Sequence, residues 1–524
     1  MISINDYHIQ GEKNSVLTDL SEITFDDFRK IVVTSIKETR KRLKNKGSFE
    51  RITIDTVETI VYGKKPKVVG YLQDGKLMAK TLINDTTDSI LNWGPLTPAR
   101  NDQNIREIQV NGPVIFVDGK QGYRVLRDEY GKPIVFQTPE DEYNFLESLL
   151  LFSGERMTED EPFVNALTKE GFRISCAHPC VHPPHHTTPN LKWPQATIRK
   201  IGDVELDIPD LLMYHTATKE MLDWEILLPQ ALIGGAVVGT TGCGKTTIVG
   251  LRMRHVRNED RVFAIQAPSE YNYRNIVDGL MVNNAVYIEV NPKADTNKPY
   301  SATFGHAVDH SLRNTASMLM LGELRKADEF VAGARAYNAG TEVTATFHTM
   351  TISGAVDRFA LELVSGLGID MDVARELACS YIPTITLCDR LGDQSRKIMA
   401  QAEVEGFDRA TKSYKINILT EFVLVATIKD PGPDGEYGKL INIGYFIKRM
   451  NPSFSFKQRL LKKVATEDMD FFFNIPDGQV LEEVNFEYLP DDFTVEYSGE
   501  LIPPKGTKHH YKCIDVVDTV GEVV

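Results

Sequence analysis

The sequence predicts an α/β fold: a mostly parallel sheet with helices on both faces, preceded by an α+β domain and flanked by an extension at each end. Three observations predict it. Between about Ile208 and Phe407, short apolar strands (Gly235 to Val238, Val262 to Ile265, Met318 to Leu321, Val343 to Phe347) alternate with helical segments, the pattern of strands joined by crossover helices. A glycine-rich stretch links the first of these strands to a helix-compatible run, Thr247 to Arg257. The 524 residues, 42% hydrophobic and 25% charged, have ordinary globular composition and a length sufficient for about three folded units.

The elements follow in order along four regions. Region 1-94 carries an amphipathic stretch, Phe25 to Lys46, ending in the basic run Arg40, Lys41, Arg42, Lys44, Lys46, read as the solvated face of a helix. Region 95-207 alternates strand-like segments such as Ile105 to Asp118 with the amphipathic helix Pro139 to Phe152, which defines the α+β domain. Region 208-407 holds the alternating strands and helices. Region 408-524 reads as a strand-rich extension (Ile416 to Ile428, Lys439 to Ile447) with a turn at Asp430 to Gly435 and an acidic, aromatic tail whose Phe471, Phe472 and Phe473 read as core. No internal repeat is found.

Bulk properties exclude several classes. A net charge of −14 opposes long-range attraction to nucleic acid, because a phosphate-binding surface must be positive to release counterions. No run of about eighteen uncharged apolar residues occurs, and Met1 to Asn14 lacks the apolar core of a signal peptide. Six cysteines in so long a chain form no disulfide framework. A cytoplasmic, reducing location is expected.

Gly239, Thr240, Thr241, Gly242, Cys243, Gly244, Lys245 and Thr246, followed by Thr247, complete the pattern GxxxxGK[ST] between a strand and a helix. Glycines let successive backbone N–H groups converge on phosphates where a side chain would block them, and the following helix N-terminus adds a favourable field. Lys245 can reach the terminal phosphates, and Thr246 offers a hydroxyl to Mg²⁺. ATP and Mg²⁺ are the expected ligands. The motif alone would equally serve a kinase, a GTPase or a helicase.

Downstream, each apolar strand ends in a polar residue at the edge that faces the ligand crevice of a doubly wound sheet. Glu270 follows Val262 to Ile265 and could orient and deprotonate an attacking water. Glu323 follows Met318 to Leu321 and could coordinate Mg²⁺ through water. His348 follows Val343 to Phe347 and could report the γ-phosphate through one hydrogen bond. Arg313 and Arg325 could neutralise phosphoryl charge, although helical arginines are ordinarily solvated or ion-paired.

Together, GTTGCGKTT (Gly239 to Thr247), FAIQAPSEY (Phe263 to Tyr271), LMLGELR (Leu319 to Arg325) and TATFHT (Thr344 to Thr349) resemble, in order and spacing, the Walker A, Asp box, Walker B and His box of the type II/type IV secretion ATPase superfamily. REIQVNGP (Arg106 to Pro113), DEPFVNALTKEGFRIS (Asp160 to Ser175) and TIRKI (Thr197 to Ile201) look like the N-terminal domain of its conjugation and type IV secretion branch. The resemblance covers about Ile105 to Asp408. It implies a RecA-like P-loop domain and a homohexameric ring with nucleotide between the two domains. It further implies an ATP-driven motor docked on inner-membrane platform or coupling proteins, with peripheral membrane association. Under the resemblance Glu270 is the catalytic glutamate, Glu323 the Walker B acid, His348 the second His-box histidine, and Arg173 and Arg199 the N-domain arginines that reach the nucleotide. Gln266 and Ala267 stand where two Asp-box acids are expected, and Thr341 where the first His-box histidine would be.

The alternatives are a nucleic-acid translocase on the same core, disfavoured by the acidic balance, and an ATP-binding regulatory ring with little turnover, motivated by Gln266 and Ala267. The loop CAHPCVHPPHH (Cys176, His178, Cys180, His182, His185, His186) offers zinc-type ligands without a matching downstream pair, so a proline-stiffened insertion is the expected reading.

Overall fold

The computed structural model describes residues 22–42, 49–73, 76–91, 93–119, 123–128, 130–150, 153, 155–168, 171–184, 191–200, 206–267, 276–277, 280–281, 283–290, 303–430 and 440–514. The chain divides into two compact units, Met1–Asp203 and Val204–Val524.

The first unit opens with helices α1 (Phe25–Arg42), α2 (Phe49–Lys64) and α3 (Ala79–Leu91). Phe28, Val32 and Ile36, spaced by four, form the buried stripe of α1, which packs on Val57, Val61 and Leu82. Thr24 starts the helix, accepting the Asp27 N–H while its hydroxyl donates to the Asp27 carboxylate. The run Ile105 to Asp118 is two strands, β1 (Ile105–Asn111) and β2 (Val114–Gly119), because Gly112 at φ +71° reverses the chain between paired Asn111 and Val114. With β3 (Arg124–Val125), β4 (Phe163–Leu167), β5 (Arg173–Ala177) and β6 (Gln195–Arg199) they form an antiparallel sheet in the order β3-β2-β1-β6-β5-β4. Helix α4 (Pro139–Leu150) contributes Leu146, Leu149 and Leu150 to the core that also holds Trp93, Ile108 and Ile198.

The second unit is built on a ten-stranded sheet. In chain order its strands are β7 (Gly235–Gly239), β8 (Val262–Gln266), β9 (Ala285–Glu289), β10 (Met318–Glu323), β11 (Glu342–Phe347), β12 (Thr384–Arg390), β13 (Arg396–Asp408), β14 (Ser413–Lys429), β15 (Leu440–Lys448) and β16 (Val480–Val484). Their spatial order is β9-β8-β10-β11-β7-β12-β13-β14-β15-β16. Pairing is parallel from β9 to β12 and antiparallel beyond. Successive residues of β7 point to opposite faces, so Ala236 and Val238 join one core cluster and Val237 the other. The first face is covered by α7 (Phe304–Leu312), α8 (Ala327–Asn338), α9 (Ile352–Leu367) and α10 (Met371–Tyr381). The second holds α6 (Lys245–Arg254), while α5 (Lys219–Gln230) packs beside it and against Phe472 of the tail.

The strands after residue 408 extend this same sheet. β13 is continuous up to Asp408, and Phe422, Phe446 and Val484 share a core with Ile248, Val249 and Leu251 of α6. Period-two alternation identifies strands but carries no information on which sheet they join.

Candidate nucleotide site

The P-loop connects β7 to α6. Gly239, Gly242 and Gly244 hold φ of +144°, +75° and +104°, values that side-chain-bearing residues rarely adopt. A Cβ at Gly239 would also lie 1.9 Å from the Cys388 carbonyl oxygen, so the loop can leave the sheet only as glycine. Thr246 and Thr247 occupy the first turn of α6, and Thr241 is exposed on the loop. This glycine-lined turn opening into a helix N-terminus suits a phosphate group.

The spatial order of strands explains how distant motifs meet. β11 lies directly beside β7 and β10 is the next strand beyond it, and in register Glu323 pairs with Thr346 and Phe347 with Val238. Their carboxyl ends therefore place Glu323, His348 and Gly239 side by side. Lys245 Nζ donates to the carbonyls of Gly239 (3.0 Å) and Thr240 (2.8 Å) and contacts His348 Nδ1 at 3.1 Å. His348 Nε2 lies 2.6 Å from Glu323 Oε1, and the Arg325 guanidinium donates to Glu323 Oε2 at 2.8 Å. His348 Nδ1 also lies 3.1 Å from the Gly239 carbonyl oxygen; an imidazole protonated on Nε2 donates to Glu323 and accepts from Lys245, whereas one protonated on Nδ1 donates to Gly239. Burial pushes the Glu323 carboxyl up, but Arg325, His348 and Lys245 outweigh it and hold the group below its ordinary value. It is therefore an anion near neutral pH, the charge state that a cation site requires.

The remaining candidates are distributed differently. Gln266 ends β8 and is buried beside Gly322, where an added Cβ would lie 3.3 Å from the Gln266 Cα. Glu270 lies outside the described residues. Arg313 follows α7 as its C-cap and is exposed, with no side-chain bond to the P-loop. Thr341 precedes β11 at the end opposite His348, and its N–H caps α8 by donating to the Ala336 carbonyl. In the first unit, Arg173 and Arg199 are direct cross-strand partners on β5 and β6, with Glu107 of β1 next to Arg199. One sheet thus presents two guanidinium groups on one face.

No group of three or more potential metal ligands occurs among the described residues. In the cysteine and histidine loop, His178 Nδ1 instead accepts the Cys180 N–H at 3.1 Å, the Cys176 thiol is buried and pushed up by burial, and His185 and His186 lie outside the described residues.

Sequence reasoning missed the wall supplied by β12 and β13. Thr240 Oγ1 donates to Asp389 Oδ1 at 2.8 Å, and Arg396 Nε donates to the Gly242 carbonyl at 2.7 Å. Asp389 was findable as a polar residue at the carboxyl end of a further apolar strand, whereas Arg396 carries no such signal. Beneath α6 lies a buried ion pair, Arg252 Nε to Glu225 Oε2 at 2.7 Å, joined by Thr386, Gln401 and Thr420. It ties the P-loop helix to β12, β13 and β14.

A glycine-cradled P-loop with a histidine from the neighbouring strand and an acid from the strand beyond it defines an α/β P-loop protein. The chain belongs to the family described as Type II/IV secretion system protein, whose profile matches residues 151–417. An uncharacterized protein of Methanocaldococcus jannaschii is 23% identical over 272 residues, covering 51% of this chain and 45% of that protein. The Type II secretion system protein E of Aeromonas hydrophila is 27% identical over 158 residues, covering 30% of this chain and 28% of that protein. The chain therefore spans less than half the length of these curated relatives. Among solved structures, the Legionella pneumophila ATPase DotB is 18% identical with a TM-score of 0.41, covering 59% of this chain and 79% of that one. Among the described residues no helix is long and apolar enough to cross a membrane.

Proposed function

We propose that this protein is a Mg²⁺-dependent ATPase, assembled as a homohexameric ring, that powers type IV secretion, conjugative transfer or pilus assembly from the cytoplasmic face of a membrane machine. The observation that carries the reading is the continuous chain Lys245–His348–Glu323–Arg325 along the carboxyl edge of the sheet, directly beside the P-loop. Its groups are those that phosphoryl transfer needs, a fixed ammonium, an anion for the cation site and a relay between them.

Within this reading the P-loop amides and Lys245 bind the phosphates, and Thr246 and Glu323 would hold Mg²⁺, which supplies charge neutralisation when bound. His348 senses the γ-phosphate, because an incoming phosphate competes for the Lys245 ammonium that His348 now contacts. Glu270 orients the attacking water. Arg173, Arg199, Arg313 and Arg325 supply the remaining positive charge. The terminal regions carry docking to inner-membrane platform or coupling proteins, with peripheral membrane association and no direct nucleic-acid binding. A slow or non-hydrolysing ring is the second reading, favoured by the buried amide of Gln266 where a carboxylate would be expected.

The test is equilibrium binding of a fluorescent ATP analogue to the parent and to Lys245→Ala, with mass measured by light scattering in a non-hydrolysable analogue and Mg²⁺. Micromolar binding lost in Lys245→Ala, and a six-subunit mass, are expected. Equal binding by both proteins would sink the site, and a persistent monomer would sink the ring. Turnover unaffected by Glu270→Gln would remove the water-orienting role.

A further inference from the structure

We propose that Asp389 and Arg396 are positioning residues that hold the P-loop in its anion-binding shape from outside, and that Arg396 acts through its Nε hydrogen bond rather than through its charge. The inference rests on the nucleotide-binding reading above and deepens it.

The topology brings these residues to the loop. β12 runs parallel to β7 with Cys388 in register with Gly239, so Asp389 emerges from the sheet beside Thr240. The antiparallel return pairs Arg390 with Arg396, which carries Arg396 back along the loop. The chain between them is a tight turn in which Asp393 accepts the Ser395 N–H and the Asn442 N–H, tying the turn to β15. Asp389 Oδ1 accepts both the Thr240 hydroxyl and the Arg390 N–H, each at 2.8 Å, so it is oriented before it holds Thr240.

At the apex, Arg396 Nε donates to the Gly242 carbonyl at 2.7 Å. In a planar trans peptide the carbonyl and the next N–H point in opposite directions. Holding the Gly242 oxygen toward β13 therefore turns the Cys243 N–H away from it, toward the side on which phosphates are cradled. The loop needs such a tether because Gly242 and Gly244, at φ +75° and +104°, have more conformations available than any other residue type. A loop already held in its bound shape loses less entropy when the ligand enters. The Arg396 side chain lies along the loop, its Cδ 3.8 Å from where a Cβ on Gly244 would stand. Lys245 bonds the Gly239 and Thr240 carbonyls and Arg396 the Gly242 carbonyl, so the segment is held at both ends by side-chain bonds.

Side-chain chemistry makes the role separable from charge. In glutamine the Nε2 amide nitrogen is bonded to Cδ, as Nε is in arginine, so Arg396→Gln keeps a donor in place and removes the charge. Arg396→Lys keeps the charge and puts a methylene at that place. Arg396→Leu removes both. The experiment measures Kd for fluorescent ADP and ATP analogues with Mg²⁺, together with KM and kcat, in the four full-length proteins, and follows nucleotide-free thermal melting. The Gln variant is expected within about threefold of the parent, while Lys and Leu bind both nucleotides about tenfold more weakly, the effect of one lost hydrogen bond. KM should rise in step, with kcat at saturation changed less than twofold. Asp389→Asn, which keeps an acceptor for Thr240, should bind better than Asp389→Ala. Lys matching the parent while Gln fails would show that charge is what matters and would overturn the proposal, as would equal affinity in all four proteins. Should the Leu variant fail to fold, the order of Gln and Lys still decides. A parent that binds neither nucleotide overturns the P-loop reading itself, a result distinct from equal binding by every variant.

Discussion

Glu142 is expected to make the first unit progressively less stable as pH rises, and replacing it with Gln should remove that dependence. Its side chain lies on the first turn of α4, 0% exposed, and neither carboxyl oxygen has a hydrogen-bond partner. Burial pushes the group up from 4.5 to about 9. An acid raised in the folded state binds its proton more tightly there than in the unfolded chain. Between the two values the unfolded state has released the proton and the folded state has kept it, so stability falls with pH. Below about pH 4.5 both states are protonated and the contribution is intact. Above that it is lost at about 1.4 kcal/mol per pH unit, roughly 3 kcal/mol by pH 7, and the loss ends near the folded value. Against a typical stability of about 5–15 kcal/mol this is a large effect. Glu142→Gln keeps the shape and cannot ionise. Urea unfolding of both proteins, followed by tryptophan fluorescence at pH 6, 7 and 8, should show the variant gaining about 1.4 kcal/mol on the parent with each unit. The buried amide carries its own cost, but that cost does not vary with pH. A difference constant across the three values would refute the reasoning.

Three further outcomes follow from the second unit. Glu323→Gln removes the anion paired with His348 and Arg325, so under the proposed function Mg²⁺-dependent turnover should fall at least a hundredfold, about 3 kcal/mol of transition-state stabilisation, while binding of metal-free nucleotide measured by fluorescence changes little. Glu225→Leu leaves Arg252 charged and buried without its acid, and should cost about 3–5 kcal/mol in urea unfolding, whereas Glu225→Leu with Arg252→Met should recover most of it; a double variant no better than the single would contradict this. The Cys243 thiol, held below its ordinary value by the Cys388 thiol and, against the opposing effect of burial, by Lys245, should be alkylated in preference to the other buried cysteines at pH 7.5. Mass spectrometry should show that Mg²⁺-ATP protects it, and labelling that ignores nucleotide would place it outside the ligand's footprint.

Much of the site was legible because its chemistry is local in sequence. Gly239 to Thr247 needs no tertiary information: the glycines, Lys245 and Thr246 stand within one strand, loop and helix, and steric requirements on φ dictate which residues can occupy them. Glu323 and His348 were legible by a rule of topology, since the carboxyl edge of a parallel sheet faces its ligand. That rule says nothing of distance. The 2.6 Å contact between them exists because β10 and β11 are neighbours in the order of strands.

Determined by the sequence alone, then, were the phosphate cradle, the alternation of strands and helices, and the polar residues ending each strand, because each depends on residues a few positions apart. Only the tertiary structure decided that the strands beyond Asp408 continue the same sheet, that Asp389 and Arg396 grip the P-loop from 149 and 154 residues away, and that Glu225 neutralises Arg252 beneath it. The physical reason is common to all three. Strand order and register are set by how whole faces bury against each other, and no periodicity within a strand records which neighbour it will have.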